Sequence, residues 1–297
     1  MQENNKAIAC AAVAVLSWST VATMFKTALK FYSHYEMLLV ATLSALAVFA
    51  VALTLKSGWG ELRRLSKKDW SWFAFVGLVN PVAYYLVLFK AYDLLPAQIA
   101  QPINYFWPII LLVLLAAVEK KPIAPFKYIG MAFSLGGVAL ISLGSGSLGG
   151  AALPLSGLAL AFLSAFLWAF YWILNRRNKR IDETAALFLS FLFGSIYLLG
   201  GLLFVPVSLA STSGFLSSVY VGLFEMGIHF IFFGMAIRKT TNPALVNQLC
   251  YLSPFLSLFL IHIFLGEQIY PTTYAGLLMI VFGIAFNEWR ARRKSLA

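Results

Sequence analysis

Glu225 stands near the centre of an apolar run at 217–237, with His229 one helical turn further on. A carboxylate at that depth in hydrocarbon costs on the order of a few kcal/mol unless it is paired, protonated or wet. At ~100° per residue, Gly222, Glu225 and His229 fall on one stripe ~60° wide. Two kinds of chemistry fit. Glu225 can be a carboxylate that carries a coupling proton or holds a substrate ammonium, with His229 as hydrogen-bond partner or second titrating group. Alternatively, Glu225 is neutral, bonds a backbone carbonyl or His229, and only fixes helix packing.

A second polar set lies in the stretch 98–108, QIAQPINYFWP, which opens an apolar run lasting to 118. Polar groups in lipid must face protein or water. On an ideal helix Gln98, Gln101 and Tyr105 share one face, while Asn104 and Trp107 point elsewhere. Either two polar faces exist, or prolines bend the helix and bring them together. Pro108 is the candidate hinge here, and Pro254 is its counterpart in a later run. The amides Gln98, Gln101, Asn104, Asn247 and Gln248 can bind both ends of a zwitterion. They can equally join helices, at ~1 kcal/mol or less per bond.

Trp18, Tyr105, Trp107, Trp168 and Tyr251 lie too deep for an interfacial belt. They suit the wall of a cavity for flat or cationic ligands, or core packing. Trp59, Trp70, Trp72 and Trp289 sit near helix ends and read as belt residues. Lys26 and Lys90 lie near the outer ends of their helices. They snorkel to the interface, or they pair with Glu225 or a substrate carboxylate. His262, alone among apolar residues, reads as structural.

These side chains need a membrane frame. The 297-residue chain is 61% hydrophobic and 11% charged, against ~25% charged in soluble domains. Ten apolar runs are expected, near 7–25, 36–55, 71–92, 96–118, 126–143, 155–174, 185–205, 217–237, 243–265 and 271–289. The fold class expected is therefore an all-α membrane protein with ten transmembrane helices. The first run, preceded by Lys6, could imitate a signal peptide, but it is needed for the count. Nineteen of the 22 Lys and Arg residues fall in one set of loops and tails, leaving Lys26, Lys30 and Lys90 on the other side. Both termini are thus expected in the cytoplasm. The net charge of +11 is spread over these loops and forms no nucleic-acid patch. Cys10 and Cys250 read as core thiols.

A shift of 146 residues superposes Tyr105 on Tyr251, Pro108 on Pro254, Gly130 on Gly276 and Gly137 on Gly283. The same shift places Gln101 on Asn247. With a slightly different offset Trp18 meets Trp168 and Lys26 meets Arg176. Each half, 1–143 and 155–290, then holds five helices, with a linker at 144–154. Five is odd, so the halves have opposite orientation: a 5+5 inverted repeat, the usual build of secondary transporters. The four glycines mark close helix approach, within the chain or at a dimer seam.

Five plus five helices, with Trp18 and Trp168 in the first and sixth and Pro108 and Pro254 in the fourth and ninth, resemble the drug/metabolite transporter superfamily, EamA type. INYFWP (103–108), LSWST (16–20), FLWAFY (166–171) and YLSPFLS (251–257) resemble helices of its YddG-type amino-acid exporters. The resemblance implies efflux of small metabolites through a central cavity that Trp18, Tyr84, Tyr105, Trp107 and Trp168 would line. The third helix, NPVAYYLVLFK, departs from that pattern at Pro81 and Lys90.

No phosphate loop, metal-ligand spacing, GxSxG or HExxH occurs. The reading is a secondary-active exporter of small organic metabolites, amino acids or related amphiphiles, working by alternating access. Efflux of cationic drugs is the alternative within transport. A membrane-embedded enzyme or lipid-handling protein is the alternative of another class, with Glu225 and His229 as acid and base. Expected partners are a small-molecule substrate and the bilayer of a bacterial inner membrane, with the chain a monomer or homodimer. No cofactor, metal or nucleic acid is expected.

Overall fold

The computed structural model describes residues 2–120, 122–147, 153–178, 180–239, 249 and 252–296. Among them every regular element is helical. Hydrocarbon leaves a spanning backbone no water to bond, so long apolar segments close their hydrogen bonds internally. Seven helical stretches among the described residues are long and apolar enough to cross a membrane: Lys6–Leu29, His34–Leu55, Lys67–Leu94, Ala97–Glu119, Leu155–Arg177, Glu183–Gly201 and Thr212–Ala236. Pro125–Ile141 and Ser253–Leu265 are shorter apolar helices.

In chain order the helices are α1 (Gln2–Leu29), α2 (His34–Leu55), α3 (Trp59–Leu62), α4 (Lys67–Gly77), α5 (Tyr84–Leu94), α6 (Ala97–Asn104), α7 (Trp107–Glu119) and α8 (Pro125–Ser147). After these come α9 (Leu155–Arg177), α10 (Glu183–Gly201), α11 (Thr212–Tyr220), α12 (His229–Lys239), α13 (Ser253–Leu265) and α14 (Pro271–Leu296). Two π-helical segments, Leu78–Ala83 and Val221–Ile228, join α4 to α5 and α11 to α12.

Contacts divide the chain into two compact units. The first comprises 1–89 and 177–260. In it α1 lies along α11 and α12, and α2 lies along α10 and the second π-helical segment. Glycines let these backbones approach: a Cβ on Gly77 would meet the Ser190 carbonyl at 2.5 Å, and one on Gly222 would run into the Ala41 carbonyl. The core between them is aromatic, with Phe25 on Phe89 at 4.8 Å and Phe49 edge-on to Phe191 at 5.1 Å. Cys10 is a free thiol and packs beside Ala11 and Ala236. Caps set the helix starts. Ser33 and Glu36 form a capping box on α2, Ser66 and Asp69 form one on α4, and Asp182 caps α10.

The second unit comprises 90–176 and 261–297. Its spine is α8 against α14. Gly130 approaches the Gly283 carbonyl, Gly137 approaches the Gly276 carbonyl, and Ser134 Oγ donates to the Ile280 carbonyl at 3.2 Å. Numbers rise along one helix as they fall along the other, so the pair is antiparallel.

Prolines interrupt two of the expected spans. The fourth run breaks at Tyr105–Phe106, and Pro108 becomes the second residue of α7. A ring there would clash with the Asn104 carbonyl of a continuous helix and has no N–H to offer it, whereas a helix start tolerates both. Pro254 occupies the same second place in α13. The third run breaks at Asn80, whose backbone is extended (φ −142°, ψ 118°), as the residue before a proline prefers.

Candidate functional site

In the first unit Glu225 lies inside the second π-helical segment and is 8% exposed. Its Oε1 accepts from Tyr85 Oη at 3.3 Å, and its Oε2 has no partner among the described residues. Tyr85 is fully buried, and Tyr84 stands edge-on to its ring at 4.6 Å. His229, 1% exposed, lies between Trp18 at 5.0 Å and Phe230 at 4.1 Å. Neither of its ring nitrogens has a hydrogen-bond partner among the described residues. Trp18 continues the aromatic wall onto Phe233 at 5.5 Å.

Gly222, Glu225 and His229 therefore do not act as one stripe. Gly222 faces α2, Glu225 reaches α5 and His229 reaches α1. The carboxyl and the imidazole are not hydrogen-bonded to each other. The ideal-helix angle failed because a π-helical segment winds with more residues per turn.

The second unit holds the polar and aromatic residues of 98–108. The Gln98 side chain is engaged within the unit. Its Nε2 donates to the Gln268 carbonyl at 2.8 Å, and its Oε1 accepts from Tyr270 N at 3.1 Å and Thr273 Oγ1 at 3.2 Å. Glu267 accepts from the amides of Ala97 and Gln98, satisfying the open N–H groups at the start of α6. His262 Nδ1 meets the Glu267 carbonyl at 2.9 Å. Asn104 Nδ2 donates to Ser164 Oγ at 2.9 Å and joins the end of α6 to α9. Gln101 is buried and its Oε1 has no partner. Trp107 stacks on Trp172 at 6.2 Å, and Trp168 stacks on Tyr171 at 5.4 Å while meeting Trp172 edge-on at 6.0 Å. The buried Trp172 Nε1 is unpartnered. Tyr105 is half-buried at the break between α6 and α7.

Lys90 is engaged locally, its Nζ 2.6 Å from Asp93 Oδ2 near the end of α5. Lys26 is half-buried in the last turn of α1. Asn247 and Tyr251, with Gln248 and Cys250, lie outside the described residues. Among the described residues no group of three His, Cys, Asp or Glu is placed to hold a metal.

Tyr85, Asn80, Tyr171 and Trp172 escaped the sequence reading. Tyr85 adjoins Tyr84 and could be separated from it only by knowing that Pro81 resets the helix. Asn80 is wholly buried with both amide atoms unpartnered, and its place before a proline was the available signal. Tyr171 and Trp172 are three and four residues after Trp168, the helical spacing at which rings meet.

The EamA-like transporter family model matches residues 5–143 and again 155–288. The chain belongs to this family. It is a multi-pass membrane protein of a transporter family. Two proteins of Bacillus subtilis (strain 168) are similar. The "Uncharacterized transporter YvbV" is 25% identical over 235 residues, covering 78% of this chain and 76% of that protein. The "Uncharacterized transporter YxxF" is 24% identical over 263 residues, covering 88% and 83%. A protein of known crystal structure shares the fold, with a TM-score of 0.69 and 22% identity over 97% of this chain and 98% of that one.

Proposed function

We propose that this transporter exports small organic metabolites, amino acids or related amphiphiles, and couples their movement to protons at Glu225. The carrying observation is the Glu225 carboxyl itself. It is buried in a π-helical part of a membrane-spanning stretch, holds one tyrosine hydroxyl and has a second oxygen unpartnered among the described residues. Such a group is costly as packing alone and useful where a proton or an ammonium must be taken up and released. The likeness of INYFWP, LSWST and YLSPFLS to YddG-type exporters supports amino acids as the substrate class.

The working parts would be ten spans arranged as two inverted halves, 1–143 and 155–290, joined by 144–154. Reciprocal contacts support this. Under a shift of 146 residues Gly130, Ser134 and Gly137 become Gly276, Ile280 and Gly283, so the contacts between α8 and α14 map onto themselves. Gly77 on Ser190 and Gly222 on Ala41 are a similar pair in the first unit. Helices α7 and α13 both carry proline at their second residue, one in each half. Pro108 and Pro254 would be the hinges of alternating access. Trp18, Tyr84, Gln101, Asn104, Tyr105, Trp107, Trp168, Asn247 and Tyr251 would form the substrate path. Lys and Arg placement supports cytoplasmic termini, and the Bacillus relatives support a bacterial plasma membrane.

The cluster of Trp107, Trp168, Tyr171 and Trp172 favours a second reading, efflux of organic cations over aromatic faces. Counterflow in proteoliposomes separates the two. Amino-acid export requires competition by compounds carrying both ammonium and carboxylate. Competition by quaternary amines alone would replace it with cation efflux, and no counterflow of either class would end the proposal.

A further inference from the structure

A cleft of about 470 Å³ opens in the first unit, apart from every residue assigned to transport. That size lies within the ~300–1,000 Å³ usual for small-ligand sites. Its lining includes Lys68, Asp69, Ser71, Trp72, Phe73 and Phe75 from α4, Arg177 at the end of α9, and Asn178, Arg180 and Ile181 just beyond it. Lys68, Ser71, Trp72 and Phe75 are spaced i, i+3, i+4, i+7 and share one face of the helix. Phe73 closes the cleft from its buried position on α4, and Trp70, outside the lining, packs edge-on to Phe193 at 6.0 Å.

Polarity along the cleft changes with depth. Its basic end lies where two spans end, at the start of Lys67–Leu94 and the finish of Leu155–Arg177. There Lys68, Arg177 and Arg180 gather around one acid, Asp69, which Arg180 already engages. Lys68 and Arg177 have no ion-pair partner among the described residues, so this end carries two uncompensated positive charges. Asn178 shapes the rim through paired bonds with Ile181, at 3.0 and 3.1 Å. Seven residues below Lys68, ~10 Å along the helix, Phe75 is 45% exposed, with the Trp72 ring 6.4 Å away.

A charged rim above an apolar, lipid-accessible wall matches one ligand in both parts. We infer that this cleft seats an anionic phospholipid, its phosphate between Lys68 and Arg177 and its acyl chains along Trp72 and Phe75. A soluble anion would use the rim and gain nothing from the wall. Basic pockets at the ends of membrane helices hold acidic headgroups for the same electrostatic reason.

Native mass spectrometry of the full chain, delipidated in detergent and titrated with phosphatidylglycerol or phosphatidylcholine, tests this. Wild type should retain one phosphatidylglycerol about tenfold more tightly than phosphatidylcholine, since each basic residue near the headgroup adds a few-fold. Lys68→Gln/Arg177→Gln should bind the two lipids alike, and each single change should fall between. Phe75→Ala should weaken both lipids while leaving their ratio unchanged. Equal retention of the two lipids by wild type, or an unaltered preference in the double variant, would overturn the inference. So would release of the lipid by inorganic phosphate, which would make the cleft a soluble-anion site. Thermal midpoints in phosphatidylcholine alone report whether each variant is folded.

Discussion

Tyr85 Oη donates to Glu225 Oε1 across 3.3 Å, joining two membrane-spanning stretches through a buried carboxyl whose other oxygen is unpartnered among the described residues. The bond puts Tyr85 in control of how Glu225 is oriented. Glu225→Gln keeps the shape and removes titration, so flux driven by a pH gradient should vanish while expression is retained. Tyr85→Phe should slow that flux roughly 10- to 100-fold, the loss of one bond to an ionisable group being worth ~1.5–3 kcal/mol. Proteoliposome uptake with an imposed pH step reads both. Undiminished flux in Glu225→Gln would remove the residue from coupling.

Gln98 carries three hydrogen bonds to 268–273. At ~1 kcal/mol each, Gln98→Ala should cost about 2–3 kcal/mol and lower the thermal midpoint in detergent, leaving substrate selectivity as it was. A midpoint that stays put while affinity falls would make Gln98 a ligand residue instead.

On the α8–α14 seam a Cβ at Gly137 would lie 2.9 Å from Ile280 Cγ1 and against the Gly276 carbonyl. A backbone carbonyl cannot move aside alone, so Gly137→Val should destabilise by ~1–3 kcal/mol. Gly60, where a Cβ meets nothing within 4 Å, supplies the matched control. Folded yield after size exclusion compares them, and equal yields would mean that the seam opens.

Asp182 accepts from Thr184 N at 2.8 Å and lies 3.5 Å from Lys56 Nζ. Partial burial pushes its carboxyl up, but the Thr184 amide and the Lys56 ammonium outweigh this and hold it below the usual range. A lowered folded value means that its stabilisation is complete above the unfolded pKa of ~3.9 and is lost as pH falls through the folded value. Asp182→Ala should therefore cost about 1 kcal/mol between roughly pH 5 and 8, with the gap closing below about pH 4. Melting curves across that range check the sign.

Much of this protein is legible from composition and local pattern. Apolar runs mark the spans because lipid forbids unpaired backbone. Pro108 marks a break because the ring acts on its own turn, and Glu225 announces itself because few carboxyls belong there. Gly137 and Gly276 stood out by repetition, and the structure brings each against the other. Pairing across helices was not legible. Glu225 turns to Tyr85 rather than His229, Gln98 braces a loop, and Asn104 spends its amide on Ser164. An ideal helical wheel predicts faces only while the register is unbroken, and Pro81 and the π-helical turns reset it. Which helix then lies opposite is a property of the whole packed chain, so partners at long range came from tertiary structure alone.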